Sequence, residues 1–395
     1  MDNVSEMNNN NELQKDRIIS IKSNQSFNES NLMTLPFISL KREKVYEIER
    51  KWDRNGKEVG LRVVGTKTHG CPTIYELDVL MALLKILSKN MDNKIVVSNT
   101  NNSHKVTNMP KVINFTYKKL AKEMGFKGWG KTTKQRLERS IKCLNECTLY
   151  STLSIRDNQL GEYIVDFDGL ESSRILKNYK SYSVNNFKLM NKTLLDPNKV
   201  EEYQSVEIDD FFFNNMCNNY FKLYDYDKYK KLTKSIAKKL LLILTQWSHG
   251  YEKYINYTTL YDYIGIEVID KKSEYYYKRE IKKALDELVD IKFINAYEIA
   301  SEGINFVFNT TRKIKAKGLD KYTTEIEVIT RLREINISYD DITKYCIPET
   351  MQYIAGLLRY VDDRNSLGYV DNLFKFTRSG LPLNSYDIRG YINEF

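Results

Sequence analysis

Residues 116–144 read TYKKLAKEMGFKGWGKTTKQRLERSIKCL, and their pattern decides the fold. Thr116 stands where a helix N-cap belongs, Leu120 and Met124 lie one turn apart, and Gly125 follows as a helix stop. Beyond a glycine-rich turn, Leu137, Ile141 and Leu144 recur at i, i+4 and i+7, so a second helix is predicted with one apolar face. Two helices joined by such a turn make a helix-turn-helix, in which the inner face of the second helix is buried and its outer face is left for water or a partner.

The same plan extends outward and then repeats. Upstream, Val79, Leu83, Leu84 and Leu87 predict a preceding helix; downstream, residues 148–155 and 161–167 predict two strands of a hairpin around a polar loop. In the second copy the first helix carries Ile236, Leu240, Leu241 and Leu244. Thr258 opens a short helix with Leu260 and Ile264 before Gly265, Ile281, Leu285 and Leu288 mark the third helix, and 291–299 with 303–308 form the hairpin. Three helices closed by a hairpin are a winged helix. A period this long exceeds a solenoid unit, so the sequence predicts duplication of a whole domain.

The fold class expected is therefore α+β, with two tandem winged-helix domains, an N-terminal β-hairpin extension and a small helical C-terminal region. The predicted organisation is a disordered Asn- and Ser-rich tail at 1–31, a first domain at 32–182 with an Asn-rich insert at 90–108 read as a loop or mobile hairpin, a second domain at 183–317 including a structured connector, and an acidic helical region at 318–395. In the extension, 36–40, 45–49 and 61–64 read as strands with a turn at Asp53 to Gly56. No apolar run reaches the roughly 18 residues of a membrane span, and no signal peptide is read at the start, so a cytoplasmic protein is expected. The five cysteines suit free thiols; Cys143 and Cys147 are one turn apart with no further pair to complete a zinc site.

Charge distribution points to the partner. The chain carries a net charge of +9, and between Lys111 and Cys147 ten Lys and Arg face three Glu. With Leu137, Ile141 and Leu144 inward, the outer face of that helix presents Thr132, Gln135, Arg139 and Lys142, with Arg136 toward one side and Lys131 and Lys134 near its start. The matching construction in the second copy exposes Lys272, Tyr275, Tyr276, Arg279, Lys282 and Lys283. Arg suits guanine, Gln suits adenine, and Lys and Thr hold phosphates, so duplex DNA is the predicted ligand. Gln135 corresponds to Arg279 and Arg139 to Lys283, so the two helices should read different half-sites.

Two motifs compete. Gly125 to Thr132 fits the phosphate-loop pattern G-x-x-x-x-G-K-T, but such a loop needs a buried strand before it, and residues 116–124 are helix-patterned and basic; Asp166 would be its metal carboxylate. A rolling-circle nickase would need a His pair for its metal, and His69, His104 and His249 are far apart in sequence. No catalytic residue, cofactor or metal is expected. The acidic excess after residue 320 favours a protein partner or self-association.

On FISLK at 37–41, GCPTIYELDVL at 70–80, FTYKKLAKEMG at 115–125, LERSIKCLN at 137–145, LTKSIAKKL at 232–240 and NSLGYV at 365–370, the chain resembles the plasmid replication initiator protein A family, and more broadly the iteron-binding initiators with tandem winged helices. The resemblance implies a bacterial plasmid initiator that binds repeated duplex sites at an origin, opens the DNA locally and recruits host replication proteins such as the helicase or its loader, with a homodimer as a further assembly. A transcriptional repressor would share every DNA-binding feature, and a replication ATPase using Gly125 to Thr132 is the alternative from another class.

Overall fold

Regular structure is already present from residue 17, inside the segment expected to be a tail. The computed structural model describes residues 16–41, 43–54, 56–100, 103–164, 173–183, 202–247, 252–308, 325–346, 351–366 and 372–381. Strands β1 (Arg17–Ser20) and β2 (Gln25–Glu29) lead into helix α1 (Ser30–Thr34). Its N-cap is Glu29, whose carboxylate accepts from Leu32 N at 2.9 Å. Phe27 and Met33 are fully buried, and the polar Asn28, Glu29 and Asn31 are buried with them. Composition misleads here because those polar side chains find internal partners: Asn31 and Asn215 both donate to Glu29, at 2.8 and 3.0 Å. Such partners offset part of the cost of burial, and polarity then no longer means disorder.

The extension is a hairpin of β3 (Glu47–Arg54) and β4 (Lys57–Val64), paired from Glu47 opposite Val64 to Arg54 opposite Lys57. Ile48, Trp52, Val59, Leu61 and Val63 are buried on one face, while Glu49, Lys51 and Arg62 point to water, the period-2 alternation of a half-buried sheet. Gly56 takes φ +77° at the turn, and its N–H donates to Asp53 Oδ1 at 3.0 Å. Residues 36–40, expected as a strand, bend at Ile38 and make a single bridge, from Ser39 to Thr73.

Helix α2 (Ile74–Asn90) starts with a reciprocal capping box between Thr73 and Glu76 and buries Val79, Leu83, Leu84 and Leu87. The Asn-rich insert follows as a hairpin, β5 (Lys94–Thr100) and β6 (Ser103–Val106), and β1 pairs with β5 to give the order β1-β5-β6. Then β7 (Val112–Phe115) enters α3 (Tyr117–Glu123), capped by Thr116, whose hydroxyl accepts from Lys119 N at 3.1 Å. Gly125 follows in the left-handed region at φ +86°. Helix α4 (Lys131–Glu146) buries Leu137, Ile141 and Leu144 completely and packs on α2 and α3.

The first hairpin departs from expectation. Strand β8 (Thr148–Thr152) pairs with β4 in the order β3-β4-β8, and the expected partners meet at Ile164, whose carbonyl accepts from Leu153 N at 2.7 Å and whose N–H donates to Ile155 O at 2.9 Å. Leu153 then adopts φ +55° and turns the chain off that sheet. What remains as a hairpin is short, β9 (Arg156–Asp157) with β10 (Glu162–Tyr163) across a turn at Gly161. Residues 165–167 of the expected second strand, with Asp166, lie outside the described residues.

Strand β11 (Leu176–Ser183) flanks β12 (Glu202–Ile208), which also pairs with β7. The connector is structured: α5 (Asp210–Cys217), β13 (Phe221–Asp225), which pairs with β2, and α6 (Tyr226–Lys231) lead to α7 (Ser235–Trp247). Strand β14 (Glu252–Asn256) precedes α8 (Tyr257–Ile264). Asn256, not Thr258, caps α8, accepting from Thr259 N at 2.8 Å, and Gly265 ends it at φ +86°. Helix α9 (Lys271–Asp290) buries Ile281, Leu285 and Leu288. Strands β15 (Ile294–Ile299) and β16 (Gly303–Phe308) complete a sheet ordered β14-β16-β15; β15 starts three residues later than expected because Lys292, at φ +56°, turns the chain after the helix.

The chain divides into two compact units, one of Met1–Trp247, Ile255–Phe293 and Ala300–Ile304, the other of Ser248–Tyr254, Ile294–Ile299 and Asn305–Phe395. Helices α1 to α9 fall in the first. In the second, α10 (Glu325–Glu334), α11 (Tyr339–Tyr345), α12 (Met351–Ser366) and α13 (Leu373–Gly380) enclose their own core around Val328, Leu332, Ile354, Leu358 and Val361. The content is α+β, and among the described residues no helix is long and apolar enough to cross a membrane.

Candidate nucleic-acid interface

The outer face of α4 follows from the inner one. Because Leu137, Ile141 and Leu144 are fully buried, positions 131, 135, 139 and 142 fall on the opposite side in one stripe. Lys131, Thr132, Gln135 and Arg139 are exposed there and, among the described residues, make no side-chain hydrogen bond or ion pair. Lys134 is half-buried. Lys142 donates to Glu138 at 2.8 Å, one turn earlier, and that bond raises its pKa. Arg136 is exposed but lies back on the protein, its guanidinium 3.7 Å from the centre of the Tyr75 ring. Stacking of this kind fixes the side chain without neutralising it.

The face of α9 is built the same way over Ile281, Leu285 and Leu288. Lys272, Tyr275, Tyr276, Arg279, Lys282 and Lys283 are all exposed, Tyr275 at 72% of its surface. Its charges are more engaged than those of α4. Glu280 accepts from Lys283 at 2.7 Å and lies 3.7 Å from Arg279, whose guanidinium is also 5.7 Å from the Tyr276 ring. The Lys283 contact holds the Glu280 carboxyl below its ordinary range. A phosphate approaching α9 must therefore displace Glu280, whereas Arg139 on α4 is already unengaged. Helix α9 also begins with its own capping box, Asp270 with Ser273, while the N-cap of α4 is Gly130 with no capping side chain.

The turns before α4 and α9 carry apolar residues that periodicity alone does not single out. Phe126 and Trp129 are 38% and 43% exposed between α3 and α4, and Ile269 is 83% exposed before α9. Around Gly125, Gly128 and Gly130 an added Cβ would meet nothing within 4 Å. The signal in the sequence is a pair of aromatic residues set among glycines and lysines in a turn between two helices. The same openness bears on the phosphate-loop motif: residues 125–130 are exposed and preceded by helix α3 instead of a buried strand, so its amides are not enclosed into a cradle.

Cys71, Cys143 and Cys147 are buried free thiols, and burial pushes Cys71 up to about 11 and Cys147 up to about 12. Thiols held protonated are poor metal ligands. Among the described residues no group of three or more His, Cys, Asp or Glu is placed to hold a metal ion.

No curated protein matches the chain significantly. Among solved structures, domains 2 and 3 of RctB superpose with a TM-score of 0.44 at 11% identity, covering 71% of this chain and 98% of that one. The Pi initiator protein in complex with iteron DNA gives 0.34 at 12% identity, covering 68% and 99%. The family model of replication initiator protein A matches residues 28–239, from β2 through α4 and β12 into α7. That is more than half of the 395 residues, and the chain belongs to the replication initiator protein A family.

Proposed function

We propose that the protein is a plasmid replication initiator built on two tandem winged helices, which set α4 and α9 into the major groove of repeated duplex sites at its origin, promote local opening and bring host replication proteins to the opened DNA. One observation carries the reading. At matching positions over fully buried inner faces, two helices of one compact unit present exposed Lys, Arg, Gln and Tyr. A single basic helix face is commonplace; its recurrence on a duplicated scaffold in a replication initiator family is not. The C-terminal region is assigned to host replication proteins or to a second copy of the chain, since residues 320–395 carry twelve Asp and Glu against nine Lys and Arg and that balance disfavours DNA.

Purified protein should footprint a set of repeats in the DNA flanking its own gene. Lys131→Ala should weaken that protection modestly and uniformly across sequences, as loss of a phosphate contact does. Uniform protection of unrelated DNA would refute the origin-binding reading. ATP hydrolysis by the parent, abolished in Lys131→Ala, would replace it with an ATPase working through Gly125 to Thr132.

A further inference from the structure

One N-terminal segment is gripped by the first helix of each copy. From α2, Lys85 is 2% exposed and donates to Ser23 O, at 2.8 Å, and to Gln25 O. From α7, Lys239 is fully buried and donates to Met33 O at 3.0 Å and Leu35 O at 2.7 Å, with its ammonium 5.7 Å from the Phe37 ring. Between the two grips, Asn28 donates to the Met81 sulfur of α2 at 3.7 Å, and β2 is paired along its length with β13. The segment then passes under the second copy, where Gly265, which ends α8, comes so close that a Cβ there would lie 3.3 Å from Pro36 Cβ.

A buried ammonium is costly, so its retention needs a reason. Helix α1 is short, and its last carbonyls have no helical partner. The Lys239 ammonium donates to two carbonyls at this end, Met33 O and Leu35 O, and a cation suits the negative end of a helix. The consequence is geometric: α2 and α7, the supports of the two reading helices, are tied to the same stretch of backbone. Four further contacts join the copies directly. Lys238 of α7 pairs with Asp78 of α2 at 2.7 Å, and Tyr229 donates to the same carboxylate at 2.9 Å. Arg50 of β3 donates to Gly265 O at 3.0 Å, and Arg54 donates to the Tyr263 hydroxyl at 3.1 Å.

We propose that Lys85 and Lys239 are positioning residues: by clasping residues 23–35 between α2 and α7 they fix the separation of α4 from α9, so that the protein accepts its two half-sites at one spacing only. The proposal rests on the tandem reading given above. Each base pair inserted between half-sites moves the second by about 3.4 Å and turns it by about 35°, which a rigid pair of readers cannot follow.

The test is binding of the full chain to duplexes carrying the native repeat, the repeat with one, two, five or ten base pairs inserted between its halves, and each half alone. The parent should bind the native spacing about a hundredfold more tightly than the two-base-pair insertion, roughly the loss of one bidentate base contact. Lys239→Met should narrow that ratio to about tenfold or less, and so should Asp78→Asn, which breaks a partly exposed bridge and leaves the core intact. Equal binding of the parent to all spacings overturns the clasp while leaving the two readers in place. Undiminished spacing selectivity in both variants, each unfolding like the parent, also overturns it. If a half-site alone binds as tightly as the pair, the tandem reading itself fails and the clasp fails with it.

Discussion

Raising salt from roughly 50 to 200 mM should weaken specific binding about a thousandfold, the largest effect the structure predicts. The expectation follows from counting cations that can reach phosphates. Helix α4 offers Lys131, Arg139 and Lys142, and α9 offers Lys272, Arg279, Lys282 and Lys283, all on outward faces. Discounting one side chain for base contact on each helix and allowing for Glu138 and Glu280, which hold Lys142 and Lys283 before DNA arrives, leaves about six phosphate contacts with the basic turn residues included. Affinity measured on one origin repeat across that range should fall on a log–log line with a slope near −5. A slope near zero would mean these faces do not meet DNA.

The second large effect concerns stability. Glu29 is entirely buried, and desolvation pushes its carboxyl up to about 8 against hydrogen bonds from Leu32 N, Asn215 and Asn31 that pull the other way. Its folded pKa is above the unfolded one. The stability it contributes is therefore fully present below about pH 4.5 and is lost as pH rises through about 8. Lys239 has the opposite sign. Burial lowers it from 10.5 to about 7, so its contribution is present above 10.5 and lost as pH falls through 7. The two slopes meet, giving a minimum in stability near neutral pH. For Glu29 the full swing is on the order of 5 kcal/mol. Denaturant unfolding of Glu29→Gln should show a stability that no longer declines from pH 5 to pH 8, so that the variant overtakes the parent at the upper end. Parallel pH profiles for variant and parent would remove Glu29 from the account.

Periodicity made the helices legible. Leu137, Ile141 and Leu144, and Ile281, Leu285 and Leu288, are buried as their spacing requires, because a helix face is a local property of the chain. Strand partnership is not local. Nothing in residues 148–152 reveals that they pair with 61–64, and the two apolar stretches 148–155 and 161–167 suggested each other only through nearness in sequence. The N-terminal segment failed for a related reason: Asn28, Glu29 and Asn31 are buried because Met81, Asn215 and the Arg156 carbonyl come to them, and composition cannot see those partners. Asn256 and Thr258 are both competent caps two residues apart, and sequence alone does not rank them. On the reading faces, exposure followed from the wheel, whereas the stacking of Arg136 on Tyr75 and the hold of Glu280 on Lys283 depend on packing and rotamer choice.

The central claim, that α4 and α9 read different parts of one repeat, is tested most directly by the base-by-base discrimination of Arg139→Ala and Arg279→Ala. Each variant is first shown to unfold like the parent, since Ile141 and Leu285 lie in the core beneath these faces. Binding is then measured against a panel of duplexes with every base pair of the repeat changed in turn. Each variant should lose about 1 to 3 kcal/mol on the native site, roughly 5- to 150-fold, and each should become indifferent to a separate cluster of base pairs. Loss of discrimination at the same base pairs in both variants, or an Arg279→Ala protein that treats every duplex as the parent does, would contradict it and leave the second helical unit without a reading role.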